Sequence, residues 1–165
     1  MTKRRSPKIY FCLLSVVSCS VFFVTGAIAA NSPQVIELTQ VPCQFLESEG
    51  GINQGYVSKS ISDCEAINAR TAKPRLAAAK PLELKPGKYL FRVTNKNVPY
   101  ELGFWLRGAS VASRFTLPSV SGGDLPPGRT KDYEIELKTG EYVYSCPLNN
   151  TPDYKLIVKA ERSRR

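Results

Sequence analysis

Gly140-Glu141-Tyr142-Val143-Tyr144-Ser145-Cys146-Pro147 is the stretch whose reading decides the fold. Tyr142, Tyr144 and Cys146 alternate with Glu141, Val143 and Ser145, the period of two that places successive side chains on opposite faces of a β-strand. Thr139-Gly140 turns the chain into it, and Pro147, with no N–H for a ladder, ends it. Just upstream, Tyr133, Ile135 and Leu137 share one face of residues 131–137 after the stop Pro126-Pro127-Gly128, and residues 154–159 follow as a closing strand. Further back, Leu102, Phe104 and Leu106 alternate with Glu101, Gly103 and Trp105 in 100–107. In 88–95, Tyr89, Phe91 and Val93 alternate with Leu90, Arg92 and Thr94, after Leu82–Leu84 and the turn pair Pro86-Gly87. Residues 35–40 and 43–46, broken at Pro42, open the series; 111–117 is a weaker strand candidate and Gly122-Gly123 reads as a flexible loop. About eight short strands with turn residues between them predict an all-β sandwich or barrel.

One segment, the insert 47–80, does not follow this pattern. Asp63 is placed to cap a helix from Cys64 through Ala69 towards Thr71, Pro74 stops it, and 76–79 forms a further helical turn. The insert is an excursion between the first strands and Leu82.

The first 30 residues read as a targeting segment. Lys3, Arg4, Arg5 and Lys8 precede the uncharged, mostly apolar run 9–26, and Ala27-Ile28-Ala29 supplies a small-x-small cleavage signal. The chain is therefore expected to be exported, periplasmic or secreted. An uncleaved anchor is the alternative, since 18 residues reach the lower end of a membrane span. Removing those four basic residues lowers the net charge from +9 to +5. That balance is no argument for nucleic acid as a partner. The basic stretch 58–92 and the tail 161–165 read as solvated surface and a frayed end. The domain is thus expected to run over 31–160.

No histidine occurs anywhere in the 165 residues. This removes Ser-His-Asp and Cys-His nucleophiles, zincin helices and histidine pH switches from consideration. Three cysteines remain after residue 30, namely Cys43, Cys64 and Cys146. In an oxidising compartment Cys43 and Cys64 are the expected disulfide, with a bridge from Cys146 to either as the alternative.

The last third of the chain resembles the cupredoxins, the blue-copper proteins and their relatives. The motifs are Leu125-Pro126-Pro127-Gly128, Tyr133-Glu134-Ile135-Glu136-Leu137, Gly140 to Pro147, and Tyr154-Lys155-Leu156-Ile157-Val158. The hairpin Pro81 to Tyr89 with Val93-Thr94-Asn95 is similar to an earlier part of that family's pattern. The resemblance implies a Greek-key β-sandwich, here with a short helical insert. It also implies a copper site of two His, one Cys and often an axial Met. Cys146 matches the thiolate position, Tyr100 stands where the first His would be, and Leu148, Asn149, Asn150 and Thr151 occupy the region of the second. The axial region reads Pro152-Asp153-Tyr154, and the only Met is Met1.

The resemblance gathers Tyr100, Tyr144, Tyr154, Asn149 and Asn150 around Cys146 as a vestigial site. The tyrosines either wall a small pocket or fill the volume left by the metal. Trp105 is either a core residue of the second face or an exposed contact. Glu134 and Glu136 share a strand face and read as ordinary outer-face charges rather than an acid–base pair. The expected function is an exported, non-enzymatic binding or accessory module without cofactor, acting on a protein or cell-envelope partner. A membrane partner is expected only if the N-terminal segment is uncleaved. The alternative is a periplasmic copper or redox carrier using Cys146 as a thiolate ligand, and a third reading is a structural cupredoxin domain of an oxidase-type enzyme.

Overall fold

The computed structural model describes residues 32–160. The expected targeting segment 1–30 and the tail 161–165 lie outside the described residues. The described residues share a single hydrophobic core.

Among the described residues, the strands are β1 (Gln34–Val41), β2 (Gln44–Phe45), β3 (Leu82–Leu84), β4 (Gly87–Asn95), β5 (Leu102–Gly108), β6 (Val120–Leu125), β7 (Thr130–Leu137), β8 (Gly140–Ser145) and β9 (Tyr154–Val158). One sheet has the order β2-β1-β4-β7 and the other β3-β9-β8-β5-β6. The β1–β4 and β3–β9 pairs are parallel, and the remaining pairs antiparallel. Neighbours such as β4–β7 and β5–β8 are not consecutive, so the chain winds between the sheets in the expected Greek-key manner. The fold is an all-β sandwich of two sheets carrying a helical insert.

The period-two alternation sets the core. Phe91 and Tyr133 from one sheet meet Phe104 from the other, at ring-centroid distances of 5.5 and 5.2 Å. Phe45 closes the same layer edge-on to Tyr144 at 5.6 Å and to Tyr154 at 6.0 Å. Such aromatic pairs add to the apolar area buried. Glu134 and Glu136 lie exposed on the outer face of β7, as expected of a solvated strand.

Three local expectations are corrected. Residues 111–117 are not a strand, because α2 (Val111–Thr116) stands there. Ser113 N–H donates to Ser110 Oγ at 3.1 Å and Ser110 N–H to Ser113 Oγ at 2.8 Å, a reciprocal cap that outweighs the strand preference of Val111 and Phe115. Gly122-Gly123 is not a flexible loop but part of β6. It packs where a Cβ on Gly103 would lie 2.6 Å from the Gly122 carbonyl oxygen and one on Gly122 3.2 Å from the Tyr133 ring. The helix of the insert, α1 (Ile61–Ala78), begins earlier than expected and runs through Pro74. Ser60 is its N-cap, and Asp63 accepts from Ser60 N–H at 3.0 Å and Lys59 N–H at 2.8 Å. Proline removes one main-chain donor, yet the turn beyond it is held because Arg75 is anchored from outside the helix.

Candidate functional site

Cys146 follows β8 at one end of the sandwich, and its side chain is fully buried. Thr151 fixes its backbone, with Oγ1 accepting from Cys146 N–H at 2.8 Å. Gly103 N–H, on β5, donates to the thiol sulfur at 3.4 Å. Burial raises the Cys146 pKa, and backbone N–H groups of Gly103, Asn149 and Leu148 pull against that rise. The result is a thiol held in an apolar pocket with backbone donors directed at it.

Tyr100 is set by Asn95, a buried residue at the end of β4. Asn95 Nδ2 donates to the Tyr100 and Leu125 carbonyl oxygens at 3.0 and 3.2 Å, while its Oδ1 accepts from Val98 N–H at 3.2 Å. The Tyr100 hydroxyl then lies 2.6 Å from Ser58 Oγ and 3.2 Å from the Ser60 carbonyl oxygen, both in the insert. Its pKa is raised, chiefly by burial.

Asn149 lies in the turn Pro147–Asn149, closed by Asn150 in the left-handed conformation at φ 39°. Its side chain is fully buried and committed on both sides. Oδ1 accepts from Cys43 N–H at 2.8 Å, and Nδ2 donates to the Val41 carbonyl oxygen at 2.9 Å. Asn150 contributes its carbonyl oxygen, which accepts from Asn68 Nδ2 of α1 at 2.6 Å.

The Cys43–Cys64 disulfide joins the start of the insert to α1, as expected. Cys64 Sγ lies 3.4 Å from Asn149 Oδ1 and 3.8 Å from the Tyr100 hydroxyl. A disulfide sulfur carries no proton, so the first of these is a packing contact rather than a hydrogen bond. On the chain-entropy estimate, a bridge closing a loop of this size contributes about 3 kcal/mol. The disulfide therefore fastens the insert across Tyr100 and Asn149.

Tyr154 takes no part in that grouping. Its hydroxyl lies 2.5 Å from Glu49 Oε1, and burial with the adjacent carboxylate raises its pKa far above the ordinary phenol value. Glu49 is paired with Arg75 at 2.6 Å, and both side chains are buried. Arg75 also donates to the Cys43 carbonyl oxygen at 3.1 Å and to Asn68 Oδ1. Arg75 lies in the basic stretch 58–92, so this part of it is not the solvated surface expected. Tyr144 joins the insert at Ser48, 2.8 Å between oxygens, and burial pushes its pKa up to about 12. The tyrosines thus fill volume and bind the insert. A cavity of about 530 Å³ lies between Glu47–Glu49 and the C-terminal turn of α1.

Trp105 lies on the outer face of β5, about 36% exposed, with the Arg107 guanidinium stacked 3.8 Å from its ring centroid. Arg107 Nη2 donates to both Asp153 carboxylate oxygens at 2.8 Å, and the buried Arg107 Nε has no partner. Sequence reasoning passed over Gln40, Glu49, Asn68 and Arg75. A glutamine on the Ile36 and Leu38 face of the first strand was the one available signal, and Gln40 Nε2 donates to the Gly103 carbonyl oxygen at 2.8 Å. Among the described residues, no cluster of three or more Cys, Asp or Glu is spaced to hold a metal ion.

No protein-family model matches the chain, and no curated protein sequence matches it. Among solved structures, auracyanin B is similar at 12% identity and a TM-score of 0.48, covering 78% of this chain and 91% of that one. A multi-copper oxidase from Pediococcus acidilactici is similar at 10% identity and a TM-score of 0.38, covering 97% of this chain and 32% of the oxidase. The chain thus spans about a third of that enzyme's length, and neither likeness carries a conclusion about activity.

Proposed function

We propose that the chain is an exported, non-enzymatic binding or accessory module whose cupredoxin-like sandwich has the end around Cys146 closed by its own insert. The observation that supports this reading best is the commitment of Asn149. With Oδ1 bonded to Cys43 N–H and Nδ2 to the Val41 carbonyl oxygen, its amide is part of the fold rather than a free donor set. Tyr100 is likewise tied to Ser58 and Ser60. The donor set does not fit a type 1 copper ion, which requires imidazoles that the chain lacks. Nor is Cys146 an activated nucleophile, since it is buried with its pKa raised. The partner in this reading is a protein or a component of the cell envelope, with no nucleic acid and no cofactor.

The second reading, a soft-metal or redox carrier, draws its support from the backbone donors at Cys146 Sγ, which favour a thiolate over a thiol. Titration of the purified domain with Cu(I) and Cu(II), followed by measurement of retained metal, separates the two. The module reading expects no stoichiometric copper and no difference between wild type and Cys146→Ser. One equivalent of tightly held copper, lost in Cys146→Ser, would establish the carrier instead.

A further inference from the structure

The sandwich end opposite Cys146 brings several features together. β1 and β4 begin there, since Gln34 pairs with Tyr89 and Gly87 with Leu137 at the end of β7. β9 finishes there, with Val158 against Gly140. Gln34, Lys159 and Ala160 line one cavity of about 400 Å³, so the chain enters and leaves the domain side by side. α2 sits at the same end, because Leu117, its C-cap, packs where a Cβ on Gly140 would lie 2.7 Å from Leu117 Cδ1. On α2, Phe115 is 87% exposed and Val111, one turn before it, 71%. Phe115 is the most exposed large apolar residue among the described residues and Val111 the third, after Val57, and the two share a helix face. Arg114 beside them and Lys138 in the β7–β8 turn are exposed cations.

From this arrangement we propose that the α2 end of the domain is a docking surface for an anionic lipid bilayer, with Phe115 and Val111 entering the interface. Aromatic and aliphatic side chains flanked by cations suit the boundary between anionic headgroups and acyl chains. After Ala160 the sequence continues with Arg162, Arg164 and Arg165 against Glu161 alone. The inference relies on export only for where the membrane lies, and stands independently of copper binding.

Flotation of the domain 31–165 with vesicles of phosphatidylcholine alone, or of phosphatidylcholine and phosphatidylglycerol in equal parts, tests it. The domain is expected to float with the anionic vesicles, to be released by high salt, and to bind about tenfold more weakly as Phe115→Ser. Ile52→Ser, an exposed apolar site in the insert, is expected to bind as wild type. Thermal unfolding checks that both variants are folded. Equal binding by wild type and Phe115→Ser overturns the proposal, as does an equal loss in Ile52→Ser or indifference to lipid charge. Absence of flotation with either vesicle also overturns it, in favour of a protein partner.

Discussion

Arg75→Ala is expected to lower the unfolding free energy by about 3–5 kcal/mol, the cost of leaving a buried charge without its partner. The Arg75 and Glu49 side chains are only 8% and 4% exposed, so water cannot take over the lost contacts. The substitution strands the Glu49 carboxylate beside the Tyr154 hydroxyl and releases Asn68 Oδ1 and the Cys43 carbonyl oxygen. Burial opposes the charge on Arg75, but the hydrogen bond and attraction from Glu49 hold its pKa above the ordinary value. Chemical denaturation of wild type, Arg75→Ala and the double substitution Arg75→Met with Glu49→Leu separates charge from packing. The double variant is expected to be more stable than Arg75→Ala, because no unpaired carboxylate remains buried. A cost below about 1 kcal/mol for Arg75→Ala would place the pair among solvent-screened surface bridges instead.

Asn149→Ala is expected to cost about 4 kcal/mol, from two buried main-chain groups left without partners at roughly 2 kcal/mol each. Cys43 N–H loses its acceptor and the Val41 carbonyl its donor, at the point where β1 turns into β2. The loss falls on the residues flanking the disulfide, so the insert is expected to loosen with it. Hydrogen exchange provides a local measurement. Cys43 N–H should exchange much faster in Asn149→Ala, while amides in the centre of β4 keep their protection in proportion to global stability. Asn149→Asp keeps an acceptor for Cys43 N–H but, ionised, sets a buried charge against the Val41 carbonyl oxygen, and is expected to cost at least as much as Asn149→Ala.

These expectations show which features were legible in the residue order. Tyr89, Phe91 and Val93, like Tyr133, Ile135 and Leu137, declared their face by period two, and the structure buries those faces. α2 was not legible in that way. Val111 and Phe115 favour strands, and the deciding exchange between Ser110 and Ser113 uses a serine where a capping box ordinarily has Glu or Gln. Gly122-Gly123 carries the signature of a loop, and only Gly103 and Tyr133, from other strands, give it a reason to pack. In the site, the resemblance brought Tyr100, Cys146 and Asn149 to one end of the sandwich. It did not reveal that Asn149 would be bonded to a backbone group 106 residues earlier, nor that Tyr154 would turn to Glu49. Glu49 lies in the insert 47–80, outside the quoted motifs, and the Cys43 contact depends on how two loops distant in sequence meet.

The closure of the Cys146 end is tested most directly by the rate at which a small thiol reagent labels Cys146 in the native, disulfide-intact domain. A thiol reached only through global opening should react on the order of a thousandfold or more slower than in denaturant, with one thiol per domain 31–165 counted after unfolding. Native labelling within about tenfold of the denatured rate would mean that the site is open, and would contradict the account.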